Sequence, residues 1–401
     1  MIQMAIMGYG TIGSGVYHVV RTNREILAKN IGEELHVKYV LDIREFPGDP
    51  VEEVLVHDVN DILNDPEVSI VVETMGGVGV AYTFVKQVLE AGKSVATSNK
   101  ELVAAKGAEL MALAKSKQVN FLFEASVGGG IPIIRPLQTC LTGDDIEEVT
   151  GILNGTTNYI LTRMNRDGSS FEAALKEAQD NGFTEKKPDA DVEGWDACRK
   201  VAILTSLVLG ELVDYEDIYT EGITKITTED FAYANRLGWA IKLLGTSKKV
   251  DGKIYAMVCP ALVKPEHPLY GVNDVFNGIM VHGNMVDDVM FYGRGAGSVP
   301  TASAVVGDVV EIAKNPGKVL YEGWTAKKHE LSDIASSRKQ FLVRVKEENA
   351  DTAAAVFAGA RRIDAGVEGE TAFLTQELSE AEYEAAAAQV PGILHRIRVQ
   401  A

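Results

Sequence analysis

The feature that most constrains this chain is its opening. A short apolar run, 2–7, is followed at once by Gly8, Gly10 and Gly13, and a helical pattern begins at about Ile12. The expected order is strand, tight glycine turn, helix. Gly8 permits the turn, Gly10 has no side chain to obstruct a diphosphate, and Gly13 lets the helix pack closely on the strand. Free N–H groups around Thr11 and Ile12 at the helix start then face the phosphates. Glycine turns of this form also occur without a ligand. Here a strand precedes, a helix follows, and an acidic residue lies roughly 20–30 residues on, which is the context the motif needs. That residue is Asp42, ending the second apolar run HVKYVLD. The reading is a dinucleotide site.

From residue 1 to about 130, apolar strands (3–7, 37–41, 70–73, 94–97 and 120–123) alternate with amphipathic helices (80–91 and 101–115). Such alternation gives right-handed crossovers and a doubly wound parallel sheet, with ligands beyond the strand C-termini. The residues to read are therefore Glu73-Thr74-Met75-Gly76-Gly77, Ser98-Asn99-Lys100 and Glu124-Ala125-Ser126. Lys100 at a strand end can attract phosphate or polarise a carbonyl, or else simply begin the next helix in solvent. The loop from Glu124 through Gly128-Gly129-Gly130 can bind a cation through its carbonyls, with Glu124 adding charge, or serve as a hinge.

The pattern changes from 131 to about 300. A strand at 147–153 leads into Asn154-Gly155-Thr156-Thr157-Asn158, a polar turn that suits a small polar ligand or a helix cap. The densest ionisable cluster follows, from Glu185 through Asp189, Asp191, Glu193 and Asp196 to Lys200. Asp196 and Lys200 are four apart and share a helix face. Lys200 adjoins the apolar run VAILTSLVLG, so it reads as an acid/base candidate rather than a solvated surface pair. A helix is expected at 231–244, with strands at 253–258 and 280–282. A second glycine-rich turn, 293–297, precedes a helix at 302–314 that should pack back on the first segment. The segment 337–401 shows the order βαββαβ and is expected as a separate small domain of a ferredoxin-like kind.

The chain has 401 residues, enough for two or three domains, and no apolar run approaches a membrane span. A net charge of −18 argues against nucleic acid or an anionic membrane as a partner. Three scattered cysteines, Cys140, Cys198 and Cys259, suit free thiols in a cytoplasmic compartment, and the dispersed histidines suggest no transition-metal site.

Taken together, GYGTIGSG, VVETMGG, TSNKELVA, FEASVGGGIPII, GILNGTTNYILT, ADVEGWDACRK and GAGSVPTASAVVGDVVEIA resemble homoserine dehydrogenase over residues 1 to about 315. The resemblance implies three parts: a Rossmann-type nucleotide-binding domain over 1–130 (with 300–320 returning to it), an α+β catalytic and dimerisation domain over 131–300, and an ACT-like regulatory domain over 337–401. It implies NAD(P)-linked interconversion of L-homoserine and L-aspartate 4-semialdehyde, in threonine and methionine biosynthesis, by a homodimer or homotetramer. Lys200 matches the acid/base lysine and Asp196 the residue placing it. Glu185 and Asp191 match the groups that hold the substrate's amino and hydroxyl ends. Lys100 lies near nicotinamide and substrate in this family, and Thr74 and Gly297 match cofactor contacts. Glu124, Val127, Gly129 and Ile131 match the loop that coordinates a monovalent cation, such as sodium, mostly by carbonyls.

Three departures stand out. Lys187 occupies the second acidic position of the family's Glu-x-Asp-Pro. Leu41, rather than arginine, precedes Asp42, and a carboxylate there favours the ribose diol of NAD, although Arg44 is within reach of a 2′-phosphate. The loop after the first strand of the tail, Glu347-Glu348-Asn349-Ala350-Asp351, lacks the glycine usual in ACT domains, so L-threonine as effector and a purely assembling tail both stay open. The alternatives are an aldehyde-phosphorylating dehydrogenase, which needs a reactive cysteine near the nicotinamide, an amino-acid dehydrogenase, and a cofactor-sensing regulatory protein without turnover.

Overall fold

A computed structural model describes residues 1–184 and 187–400. The chain divides into two compact units. The first comprises Met1–Asp145, Ala202–Tyr215 and Gly293–His329; the second comprises Ile146–Val201, Glu216–Tyr292 and the residues from Glu330 onward.

The first unit is built on a six-stranded parallel sheet in the order Leu55–Val56, Leu35–Leu41, Ile2–Met7, Val68–Glu73, Ser94–Thr97, Phe121–Leu122. Strand order reverses between Ile2–Met7 and Val68–Glu73, which places a crevice beyond their C-terminal ends. Both strands are almost wholly apolar because helices cover both faces. The helix Ser298–Lys314 belongs to this core: Ala302, Val305, Val306 and Val309 pack with Met4, Ile6, Val16 and Val72. Gly15 makes the approach possible, since a Cβ there would lie 2.6 Å from Ser298 Oγ and 3.1 Å from Ala302 Cβ.

The second unit is built on a mixed sheet. Its order is Asp287–Arg294, Phe276–Gly283, Ile146–Ile152, Ala240–Val250, Lys253–Val263, Ile393–Gln400, Phe341–Lys346, Glu370–Leu374, Arg361–Ile363, with Tyr219–Thr220 also pairing Lys253–Val263. The strands of the tail therefore do not form a sheet of their own. Ile393–Gln400 pairs in parallel with Lys253–Val263 through Ala261, Leu262 and Val263, and the tail continues the middle sheet. The tail still keeps a core of its own, in which Phe341, Phe357, Phe373 and Tyr383 pack together.

One expectation fails at 231–244. The helix is Thr228–Leu237, and Ala240–Val250 is a strand. Gly238, at φ +73°, closes the helix through its N–H to the carbonyls of Ala234 and Asn235. The residues beyond it then pair with Lys253–Val263 in antiparallel register along their whole length. An apolar run of this length fits a helix or a buried strand equally well by pattern, and the pairing partner decides.

Charge, as well as hydrophobic surface, fastens the tail within the unit. Arg398, 1% exposed, donates to both oxygens of Glu380 (2.5 and 3.0 Å) and to Glu221 Oε2 (2.8 Å), and lies over the Tyr219 ring. Arg344 donates to Asp230 and, bidentately, to Glu370. Removing one partner of such a buried set leaves the others uncompensated. Arg398→Met should therefore destabilise the protein by about 3–5 kcal/mol, measured as a lower urea midpoint; an unchanged midpoint would show that Glu380 and Glu221 find other partners.

Candidate active site

In the first unit the glycine turn has the form a diphosphate needs. Gly8 has φ +96°, and a Cβ on Gly13 would lie 1.9 Å from the Gly8 carbonyl oxygen, so only glycine lets this helix seat against the strand. A Cβ on Gly10 would meet nothing within 4 Å, which leaves the approach open. The helix Thr11–Thr22 starts at Gly10 with no side chain capping it, so the N–H groups at its start keep their capacity for an anion. The residues present thus fit the diphosphate of a dinucleotide.

The neighbouring strand end is shaped by a buried carboxylate. Glu73 is fully buried, accepts from Thr97 Oγ1 (2.6 Å) and from the amides of Met75 (2.8 Å) and Gly76 (3.3 Å), and is raised in pKa by that burial. Thr74 turns its hydroxyl to the Gly8 carbonyl (2.9 Å), tying this loop to the glycine turn. Asn99 donates to the Gly77 carbonyl (2.6 Å) and caps the helix that begins at Lys100 by accepting from Leu102 N. Lys100 is half-buried there. Glu73 and Asn99 were visible in the sequence only as neighbours of candidate residues; their hydrogen bonds show that they shape the loop.

Asp42 ends the second strand and is 9% exposed. Its Oδ2 accepts from Tyr9 N (2.8 Å) and Arg44 Nη2 (2.9 Å); its Oδ1 accepts from Arg44 N (3.0 Å) and Arg44 Nε (2.9 Å). The Arg44 guanidinium holds this carboxyl well below the usual range, against the cost of burial. Gly297, at φ +115°, immediately precedes the helix Ser298–Lys314, and Ser298 Oγ donates to Thr11 O (2.6 Å).

The glycine loop of the first unit is buried as far as Gly129, while Gly130 is exposed. Gly129, at φ +56°, leaves no room for a Cβ, which would lie 2.5 Å from the Gly295 carbonyl oxygen. Val127 and Ile131 are fully or almost fully buried. The Glu124 carboxylate accepts from three amides, of Ile133 (2.6 Å), Ile134 (2.8 Å) and Arg135 (2.8 Å), and so caps the next helix rather than lending its charge to the loop. Asp308, paired with Arg135 at 2.6 Å, is pushed up to about 7 by burial and by Glu124.

The second unit gathers the other candidates. Lys200 Nζ donates to Asp196 Oδ2 (2.7 Å) and to the Leu153 carbonyl (2.7 Å), and both side chains are buried. The helix Trp195–Leu209 reaches Leu153 because Gly245 beneath it lacks a Cβ, which would lie 2.5 Å from Val201 Cγ2. Asn154 completes the group. Its Nδ2 donates both to Asp196 Oδ2 (2.8 Å) and to Asp191 Oδ1 (2.8 Å), while its Oδ1 accepts from Thr157 N (2.9 Å) and caps the helix Gly155–Asp167. Asp191 Oδ2 accepts from Thr184 Oγ1 (2.8 Å). Asp191, Asp196, Asn154 and Lys200 thus form one connected set. Glu185 lies outside the described residues, and Lys187 is exposed. The sequence singled out the Asn154 turn without showing that its amide joins two acids; a capping asparagine 37 residues from Asp191 gives no such signal.

Among the described residues no helix is long and apolar enough to cross a membrane. The cysteines are free thiols, Cys140 exposed and the other two buried. His282, Asp287 and Asp288 bring three ligand-type atoms within 4.8 Å of one another, a grouping the dispersed histidines did not suggest.

Comparison with known proteins agrees with this geometry. The family model for the homoserine dehydrogenase NAD-binding domain matches residues 8–124, and that for homoserine dehydrogenase matches 132–310. A homoserine dehydrogenase of Bacillus subtilis is 44% identical over 317 residues, 78% of this chain and 73% of that protein. The crystal structure of a homoserine dehydrogenase from Thiobacillus denitrificans superposes with a TM-score of 0.90 at 34% identity, covering 100% of this chain and 98% of the other. A hyperthermophilic archaeal homoserine dehydrogenase mutant, solved in complex with NADPH, superposes with a TM-score of 0.66 at 28% identity, over 79% of this chain and 99% of that one. These matches do not favour a sensing protein without turnover: the chain belongs to the homoserine dehydrogenase family, oxidoreductases with a Rossmann-like NAD(P)-binding domain and a mixed-sheet catalytic domain.

Proposed function

We propose that in this chain Lys200 is the acid/base group for the interconversion of L-homoserine and L-aspartate 4-semialdehyde, positioned by Asp196 and Asn154. The observation that carries the reading is the buried set of Lys200, Asp196, Asn154 and Asp191. A bound nicotinamide cofactor supplies the acceptor or donor of the hydride. In the alcohol-to-aldehyde direction Lys200 takes the hydroxyl proton as the carbon is oxidised; in reverse it returns that proton to the carbonyl oxygen. Asp196 and the Leu153 carbonyl fix the Nζ atom so that its remaining valence is directed away from them. Asp191 and Glu185 hold the amino and hydroxyl ends of the substrate. Gly8, Gly10, Thr11, Ile12, Gly13, Thr74 and Gly297 contact the cofactor, and Lys100 polarises the reacting oxygen.

The carbonyls of Glu124, Val127, Gly129 and Ile131 would hold a monovalent cation, which would fix the loop's unusual backbone. The left-handed glycines, the burial of Val127 and Ile131 and the prior commitment of the Glu124 carboxylate favour carbonyl ligation. The tail reads as an ACT-like regulatory element with L-threonine as its effector, and the chain as a cytoplasmic homo-oligomer.

The test is reduced-nicotinamide absorbance with L-homoserine and NAD or NADP. Lys200→Ala should lower kcat by about 10²–10⁴-fold while cofactor fluorescence titrations stay unchanged; near-normal turnover would overturn the assignment. Asn154→Asp keeps the helix cap but removes both donors. It should lower kcat by about tenfold or more and also lower the thermal midpoint, because its second oxygen would face the Asp191 and Asp196 carboxylates; unchanged kcat and midpoint would show that the amide is not needed to join the two acids. Replacing sodium by choline at constant ionic strength should lower activity and raise protease sensitivity near residues 124–131; no change in either would remove the cation.

A further inference from the structure

The geometry points to Thr184 as a positioning residue for the substrate: its hydroxyl sets the Asp191 carboxylate in the orientation that accepts an N–H or O–H of L-homoserine. This rests on the reading of Asp191 as a substrate-holding acid and takes it further.

Two carboxylates hang from Asn154, and they stand differently. Asp196 is 5% exposed and also takes the Lys200 ammonium, so it is closed in. Asp191 is only part-buried and keeps some of its surface accessible. Its main chain is fixed, since its N–H donates to the Pro188 carbonyl (2.8 Å) and its own carbonyl accepts from Gly194 N (3.0 Å). What remains is rotation of the carboxylate. Asn154 Nδ2 holds one oxygen, Oδ1, at 2.8 Å, and a single point lets the group pivot. Thr184 Oγ1 supplies the second point, on Oδ2 at 2.8 Å. Each oxygen then has a further lone pair in a defined plane. A carboxylate set in place beforehand costs the incoming substrate no ordering.

Thr184 owes its own position to the helix Gly155–Asp167. The residue before it, Phe183, accepts at its carbonyl from Thr156 Oγ1 (2.9 Å), donates its N–H to the Ala178 carbonyl (2.9 Å), and meets the Tyr159 ring edge-on at 4.9 Å. Asn181 Nδ2 donates to the Tyr159 hydroxyl (3.1 Å). The β-branch of Thr184 narrows its χ1, and its hydroxyl has one hydrogen to give, which goes to Asp191. Asn154 is the N-cap of the same helix, so both points that hold Asp191 refer to one element. The Thr184 hydroxyl is neutral, and Asn154 still stands between the two acids without it. Its contribution therefore goes to binding the substrate, and not to the proton held by Lys200.

The experiment compares the wild-type chain with Thr184→Val, which keeps the shape and loses the donor, and Thr184→Ser, which keeps the donor. Thr184→Val is also made on an Asp191→Ala background. The readouts are KM and kcat for L-homoserine by reduced-nicotinamide absorbance, the pH profile of kcat, and NADPH fluorescence titration. In Thr184→Val the KM for L-homoserine should rise by roughly tenfold, with kcat, its pH profile and the Kd for NADPH unmoved. Thr184→Ser should restore the wild-type KM. On the Asp191→Ala background Thr184→Val should add nothing further, because the two side chains act as one unit. A fall in kcat equal to that in kcat/KM, a Thr184→Ser variant as poor as Thr184→Val, or full additivity with Asp191→Ala would overturn the assignment. A raised KM in Asp191→Ala beside an unchanged one in Thr184→Val sinks the Thr184 assignment alone. An unchanged KM in Asp191→Ala sinks the substrate reading on which it stands.

Discussion

One side-chain amide ties together the buried polar cluster of the second unit. Asn154 gives its two N–H hydrogens to two different carboxylates, Asp191 and Asp196, and its oxygen to the start of a helix. Its orientation is forced, since reversing it would set oxygen against two acids and nitrogen against the Thr157 amide. Without it two carboxylates within reach of one atom would repel, and the one that steadies Lys200 would be free to turn. Because the same residue caps Gly155–Asp167, the start of that helix and the Asp196–Lys200 pair are tied to a single group.

The first unit solves a different problem, which is to bring backbone close to backbone. Gly13 against the Gly8 carbonyl, Gly15 against Ser298 and Gly129 against the Gly295 carbonyl are contacts that no larger residue permits. Their purpose is to leave amides and carbonyls available for ligands while the apolar strands behind them stay fully covered. Polar groups that might have satisfied those amides are kept elsewhere: Glu73 serves Met75 and Gly76, and Glu124 serves Ile133, Ile134 and Arg135.

Much of this was legible beforehand. The glycine turn, the parallel alternation and the i,i+4 spacing of Asp196 and Lys200 are short-range patterns, and each has one physical meaning in its context. What escaped was long-range. Nothing near 240–250 distinguishes a buried strand from a helix until its partner at 253–263 is known. Nothing in the tail reveals that its final strand lies beside Val263 instead of within a separate sheet. A sequence cannot show that the Glu124 carboxylate accepts from three amides nine to eleven residues on. Arg44 was visible, but only the structure shows its fork closed on Asp42.

The insertion of Ile393–Gln400 between Lys253–Val263 and Phe341–Lys346 also bears on how the protein is made. A ribosome producing this chain completes Lys253–Val263 about 130 residues before the strand that covers its open edge. Tyr219–Thr220 pairs with Met257 and Val258, but at a synthesis rate of ~5–20 residues per second the edge at Ala261–Val263 stays unpaired for roughly 7–26 seconds. An apolar strand with exposed N–H and C=O groups is a template for unwanted pairing. The nascent chain therefore passes through an interval in which other strands nearby can take the place that its last strand will fill, and a chaperone that shields the edge would act during that interval.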